Sequence, residues 1–402
     1  MDQLLNPSHP DVRVEFGMAV SEFAQRSAWR AQAELFGAIA DTLNEAATHP
    51  ELFVSMNSVR RDAVDLAVRS AAADLAVRLS LAENTVRNYG HRASILRQRL
   101  PEVWGWFREG EISTPNASEA ANAVAELPGE VWAEFEQRIL QPAGTMAPAR
   151  FRTLVRTLAE RLQSETLGVR HRAAKERRGL WSEIDRDGMA FLNLYLPAED
   201  LGRITANLDA VASSLDAEPD ETRTMAQLRL DTAVDLLTGV GTKANVSATV
   251  AITVPVMTLL GRSNEPAVME GVGPIDLETA RTLTAAAPTL TRLLTDPVSG
   301  EILTMDSKQY RPPAALRRWL ALTQVTCDFP GCNRRARHCD LDHTVAWAEG
   351  GLTTAANLVY RCRKHHRMKH ESRWRVEKPP GAKVATWISP TGHSRDADPP
   401  PF

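Results

Sequence analysis

The 402-residue chain has no run of about 18 consecutive apolar residues, the length a membrane-crossing helix needs, so no span is expected. Its richest apolar stretch, 246–260, is interrupted by Ser247, Thr249, Thr253 and Pro255. The first ten residues lack the basic-then-apolar order of a secretory leader. Cysteine is scarce, and four in the whole chain are too few for a disulfide scaffold. There is little net charge, −3, which by itself names no nucleic-acid partner. There is no internal repeat. From these absences neither a membrane span nor a secretory leader is expected, and the chain reads as a cytoplasmic protein of two or three domains. Hydrophobic and charged fractions of 43% and 24% are ordinary for such a chain.

What is present is concentrated near the end. All four cysteines, Cys327, Cys332, Cys339 and Cys362, fall within 36 residues, and five of the ten histidines lie between His338 and His370. From Arg311 to Val376 there are thirteen Lys/Arg against five Asp/Glu, so the rest of the chain is acidic. A basic module on an acidic chain suits an anionic partner, although a solvated basic face has the same composition. In a reducing compartment, clustered Cys and His point to metal.

Upstream, Phe23, Trp29, Leu35, Phe36, Ile39 and Leu43 recur at helical spacing, and a second helix runs through Val64 to Leu79. Residues 72–96 have the rhythm of a helix-turn-helix. That rhythm allows a helix in a DNA groove, but the pattern is loose and favours two packed helices. Helical pattern returns at 119–127 and from Pro148 to about Glu176, where Lys175 to Arg178 reads as a solvated helix end. Residues 188–196 read as a strand, and alternation from Val246 to Val254 as another. The helical residues 198–240 separate them, which suggests a small sheet packed on helices. Asp296 to Gly300 reads as a hairpin turn, Ala314 to Leu322 as a short helix, and the boundary before the cysteines falls near Ser307. The residues after Thr391 are expected to be disordered. The partition is a tail over 1–18, a largely helical domain over 19–306, a Cys/His module over 307–378, and a hairpin end with a tail over 379–402.

In the module, Cys327 and Cys332 form a C-x4-C loop with Pro330-Gly331 at its tip, and Cys362 and His365 form a C-x2-H pair. Three thiolates and an imidazole make a closed tetrahedral set, which is a structural zinc site rather than a catalytic one. Cys339 is then left over as a small buried hydrophobe. His366 and His370, four apart, share one helix face, and Asp342 can bring a carboxylate to the same point. Three ligands with open positions describe a catalytic metal site. His343 leaves the opposite side of its strand and is free to act as general base. Asn357 cannot titrate, and its amide can hold the loop that carries the base.

The segment from Cys327 to His370 closely resembles the HNH endonuclease family. His343, Asn357 and His366 match its three letters. The resemblance implies a ββα-metal fold following the helical region, hence an α+β chain. It also implies a general base at His343, metal ligation by Asp342 and His366, and a third ligand at His370 as in some branches. The ion is expected to be Mg2+ or Mn2+, beside the structural Zn2+, with products carrying 5′-phosphate and 3′-hydroxyl ends. Residues 271–275, 295–300, 310–316 and 387–392 resemble a bacterial family in which a long helical domain of unknown function precedes that module. Four positions depart from the family: Ala346 for Pro, Thr323-Gln324 for Arg-Asp, and Arg361 for an apolar residue. None is expected to touch a ligand or the base.

The expectation is a DNA endonuclease with phosphates contacted by Arg334, Arg335, Arg337, Arg363, Lys364, Arg367 and Lys369. The rival is a zinc-dependent DNA-binding or regulatory protein without cleavage. No membrane and no small-molecule cofactor are expected, and the residues name no protein partner.

Overall fold

A computed structural model describes residues 10–55, 62–163, 167–185, 187–216, 218, 220–239, 252–269, 273–285, 311–379, 382 and 384–398. The chain is mostly helical with small antiparallel sheets. It divides into two compact units that cut across the linear partition: Met1–Ser164 with Leu293–Phe402, and Glu165–Arg292. No helix among the described residues is long and apolar enough to cross a membrane.

The first unit opens with α1 (Pro10–Thr48), α2 (Ala63–Leu79), α3 (Glu83–Arg99), α4 (Pro101–Glu109), α5 (Thr114–Val124), α6 (Trp132–Thr145) and α7 (Pro148–Leu162). Helix α1 starts well before position 19. Its leading turns carry Val14, Phe16 and Met18 exposed, so no buried stripe marks them. Phe36, Leu96, Leu100, Phe107, Ile112, Phe135, Ile139 and Phe151 are fully buried together. Each such side chain stabilises the fold by roughly 1.5–3 kcal/mol. Gly90 lets α3 approach α1, since a Cβ there would lie 2.9 Å from Leu43 Cδ1 and 3.2 Å from Ile39 Cγ2.

The helix ends are capped. Ser80 takes a left-handed conformation (φ 53°) to close α2, and Gly110 (φ 76°) closes α4. Buried Glu136 reaches across from α6, and its Oε1 accepts the N–H groups of Glu102 (2.8 Å) and Val103 (3.0 Å), capping α4.

The second unit holds α8 (Leu167–Lys175), a hairpin of β1 (Gly179–Ile184) and β2 (Ala190–Tyr195), α9 (Ala198–Asp216) packed on α10 (Met225–Thr238), β3 (Ile252–Thr253), α11 (Val256–Leu259), β4 (Ala267–Met269), β5 (Gly273–Ile275) and α12 (Leu277–Ala285). The two strands read from the sequence do not share a sheet. Strand β2 pairs with β1, whose sequence carried no strand signal, and β3 pairs with β4. Residues 246–251, the turn at 296–300 and the boundary at Ser307 lie outside the described residues.

The chain then returns to the first unit through α13 (Ala314–Thr323), β6 (Asp340–His343), β7 (Leu358–Arg361), α14 (Arg363–Glu371), β8 (Arg375–Glu377), β9 (Thr386–Ile388) and β10 (Ser394–Asp396). Strands β6 and β7 are antiparallel, with Asp342 opposite Val359 and His343 opposite Leu358. Strands β8, β9 and β10 form an antiparallel sheet. Residues 394–396 are therefore ordered, against the disorder expected after Thr391. Trp387, fully buried on β9, supplies the core that fixes them.

The helices and the Cys/His module share a core. Ala73 and Val77 of α2 pack with Cys327, Phe329, Cys362, Met368, Trp374 and Trp387. Phe329 meets Trp374 and Trp387 edge-on at 5.2 and 5.0 Å. Val54 forms an isolated bridge to Ser372, and Arg373 N–H donates to the Phe53 carbonyl (3.0 Å). Arg78 and buried Asp74 both engage Thr391 Oγ1, at 2.6 and 2.5 Å.

Candidate metal centre

The first cluster is built by a tight loop and a helix start. Gly331 (φ 74°) turns the loop, and the Cys332 N–H donates to the Phe329 carbonyl at 3.0 Å. Cys362 is the N-cap residue of α14, which puts His365 one turn in and over the same point. His365 Nδ1 lies 3.4 Å from Cys327 Sγ and 3.2 Å from Cys362 Sγ, and Cys327 Sγ accepts the Cys362 N–H at 3.3 Å. The donor atoms of Cys327, Cys332, Cys362 and His365 all lie within 4.8 Å of one another, so the cluster could hold a metal ion. Cys339 stands outside the set, half-buried, with its sulfur turned to the carbonyls of Arg334 (3.6 Å) and Arg335 (3.3 Å).

The imidazole of His365 is sandwiched. Phe329 stacks on it at 4.0 Å, and its Nε2 lies 2.7 Å from Glu83 Oε1, at the start of α3. Glu83 also pairs with Lys364. Burial pushes the Glu83 carboxyl up, but the hydrogen bond and charge of His365 with the charge of Lys364 outweigh it and hold it below the usual range.

The second cluster is Asp342 of β6 with His366 and His370 of α14, again within 4.8 Å. The two oxygens of Asp342 have different work. Oδ1 faces His366 Nε2 (3.4 Å) and His370 Nε2 (3.5 Å). Oδ2 accepts from Arg361 Nη1 (2.5 Å) and Lys369 Nζ (2.9 Å). Burial opposes the charged form of Asp342, but the two histidines, then Arg361 and Lys369, drive its pKa far down. The two histidine rings stand nearly perpendicular with centroids 4.9 Å apart.

His343 is buried next to Asp342 in β6. Its Nε2 lies 3.0 Å from the Thr353 hydroxyl, and Trp347 packs edge-on to its ring at 5.9 Å. Burial pushes its pKa down, which favours the neutral ring; Asp342 pushes the other way and Lys369 adds to the lowering. Asn357 closes the loop between β6 and β7. Its Oδ1 accepts the Val345 N–H (2.8 Å), and its Nδ2 donates to the carbonyls of Val345 (3.1 Å) and Leu352 (2.9 Å). Gly351 has to be glycine here, because a Cβ would collide with the Val345 carbonyl and reach 2.8 Å from Asn357 Nδ2.

One expectation is corrected by this geometry. Arg361, expected to touch no ligand, is fully buried over Trp387 and bonds both Asp328 and Asp342. Its signal was available: a lone charge in an otherwise apolar strand needs buried partners. Of the seven basic residues assigned to phosphates, Arg334, Arg337 and Arg363 are exposed and Arg335 is half-buried. The other three are taken up internally. Lys364 pairs with Glu83, Arg367 with Asp62 and Glu371, and Lys369 with Asp342 and the His343 carbonyl. For Lys364 and Arg367, the far acids sit at the starts of α3 and α2, about 300 residues away in sequence, where local reading could not place them.

Fold and site thus define a mostly helical protein in which α2 and the start of α3 pack on a later module carrying two clusters that could hold metal ions. A family model described as "Domain of unknown function (DUF222)" matches residues 23–322. The chain belongs to that family, and both clusters lie beyond the matched residues. Among curated proteins, it is 40% identical over 92 residues to "Uncharacterized protein Rv2100" of Mycobacterium tuberculosis (strain ATCC 25618 / H37Rv), and 39% over 92 residues to "Uncharacterized protein Rv3776" of the same strain. Each match covers 22% of this chain and only 16% and 17% of those relatives. No solved structure matches.

Proposed function

We propose that the chain is a cytoplasmic, metal-dependent endonuclease of the HNH type that hydrolyses phosphodiester bonds in DNA. The observation that carries this is the division of labour at Asp342. One oxygen is clamped by Arg361 and Lys369, and the other converges with His366 and His370. That leaves a three-donor set of the kind that keeps positions open for water and substrate. A divalent ion held there supplies neutralisation of the charge that builds on the phosphate oxygens. Two imidazoles and a carboxylate suit Mn2+ better than the all-oxygen preference of Mg2+. The closed Cys3His set suits a structural Zn2+.

His343 takes the proton from the attacking water, and its lowered pKa keeps it in the accepting form near neutrality. Asn357 fixes the loop packed around that base. Arg334, Arg337 and Arg363 contact the phosphate backbone, so affinity falls as salt rises.

The test is plasmid cleavage by the purified full chain in Mn2+ or Mg2+. The expected result is nicking or cutting, lost in His343→Ala with both metal contents unchanged. A His343→Ala protein that cuts at the parent rate removes the assigned base. A parent that retards DNA in a gel but never cuts it, in either metal, supports a binding protein instead.

A further inference from the structure

Glu83 opens α3, in the part of the chain with no assigned activity, yet its side chain ends at the Cys/His cluster. Its carboxylate is only 14% exposed and His365 2%. The ring of His365 has two distinct ends. Nδ1 faces the sulfurs of Cys327 and Cys362, while Nε2 faces Glu83 Oε1 at 2.7 Å. With Nδ1 turned to the thiolates, the proton of a neutral imidazole sits on Nε2, where an acceptor is waiting.

We propose that Glu83 is the positioning residue for the Cys3His metal site, fixing the tautomer and ring plane of His365 from the helical bundle. The inference rests on reading that cluster as a metal site. A carboxylate accepting from the far nitrogen of a ligating histidine fixes its orientation and raises its basicity toward the metal. Charge fits this role. Three thiolates around a divalent cation leave one net negative charge, which would repel a bare carboxylate at this distance. Lys364, the residue before His365, pairs with Glu83 and cancels that repulsion. Phe329, stacked on the ring at 4.0 Å, blocks the tilt the hydrogen bond alone would allow.

Function follows from the placement. Helix α3 belongs to the family-matched region and the cluster does not, so the helical domain would complete the metal site rather than merely precede it.

The experiment measures ion uptake by the full chain. Co2+ absorption reports tetrahedral thiolate coordination, and chelator competition reports Zn2+ affinity. The parent is expected to take one tightly held ion at the thiolates. Glu83→Ala should weaken Zn2+ by about tenfold to a hundredfold. Glu83→Gln, whose amide oxygen still accepts the Nε2 proton, should recover part of the loss and serves if Glu83→Ala does not fold. Asp62→Ala removes the Arg367 contact of the same interface without touching His365, and should leave affinity unchanged. Parental affinity in Glu83→Ala overturns the proposal. So does an Asp62→Ala loss equal to that of Glu83→Ala, because docking would then be the cause. A parent without a thiolate–cobalt band removes the metal reading itself, and the proposal with it.

Discussion

Arg361 is the residue on which the second cluster turns. Its guanidinium is buried between Asp328 and Asp342, and breaking such a pair from one side costs about 3–5 kcal/mol. Arg361→Met should therefore lower stability by about that amount in urea or thermal unfolding, far more than substitution at exposed Arg363. Asn357→Ala should leave stability closer to the parent but cut cleavage by about tenfold to a hundredfold with unchanged metal content, since it frees the loop and not the ligands. Gly351→Ala should also lower stability, because the added Cβ meets the Val345 backbone carbonyl and not a flexible side chain that can swing aside. The cysteines and histidines of the two clusters stood out because they recur at spacings that suit one ion: C-x4-C, C-x2-H, and histidines four apart. Arg361 was read as a packing change and Lys369 as a phosphate contact, because a basic residue near such a motif can also serve as a carboxylate clamp. Burial alone tells these uses apart.

At the scale of elements, periodicity located the long helices and the strand at 188–196, observed as β2, but missed β1 and β10. Helices α1 to α3 carry buried stripes or runs that repeat over several turns. Strand β1 is exposed along its whole length, so nothing in its pattern records a buried face. Strand β10 is three residues long and exposed, and its order comes from β9 beside it. The cap on α4 was equally hidden, because Glu136 sits 34 and 33 residues from the N–H groups it accepts. Glu136→Ala should cost about 0.5–2 kcal/mol, the usual loss for an N-cap side chain, and Glu136→Gln much less, as read by thermal unfolding. Hydrogen exchange should place the loss at 101–109 if the cap is the cause.

For the whole molecule, the composition anticipated a basic module on an acidic chain but not that this module folds as one unit with the first helices. Ala73 and Val77, Glu83, Asp62 and Val54 each reach the Cys/His module, and none has a signal that names its partner. Stripping metal with a chelator should therefore lower exchange protection in 63–99 as well as in 327–397, measured by mass spectrometry on the full chain. Protection lost only in 327–397 would mean that the two halves of the first unit open independently.

A unit closed by segments far apart in sequence imposes an order on synthesis. Helices α2 and α3 are translated more than two hundred residues before Cys327. At about 5–20 residues per second, that delay is roughly 10–45 s. During it, the Ala73–Val77 face stays wet and Glu83 has no histidine to hold. A nascent chain stalled after α13 should offer that face to chaperones or proteases, and a chain released past Ala397 with zinc present should withdraw it.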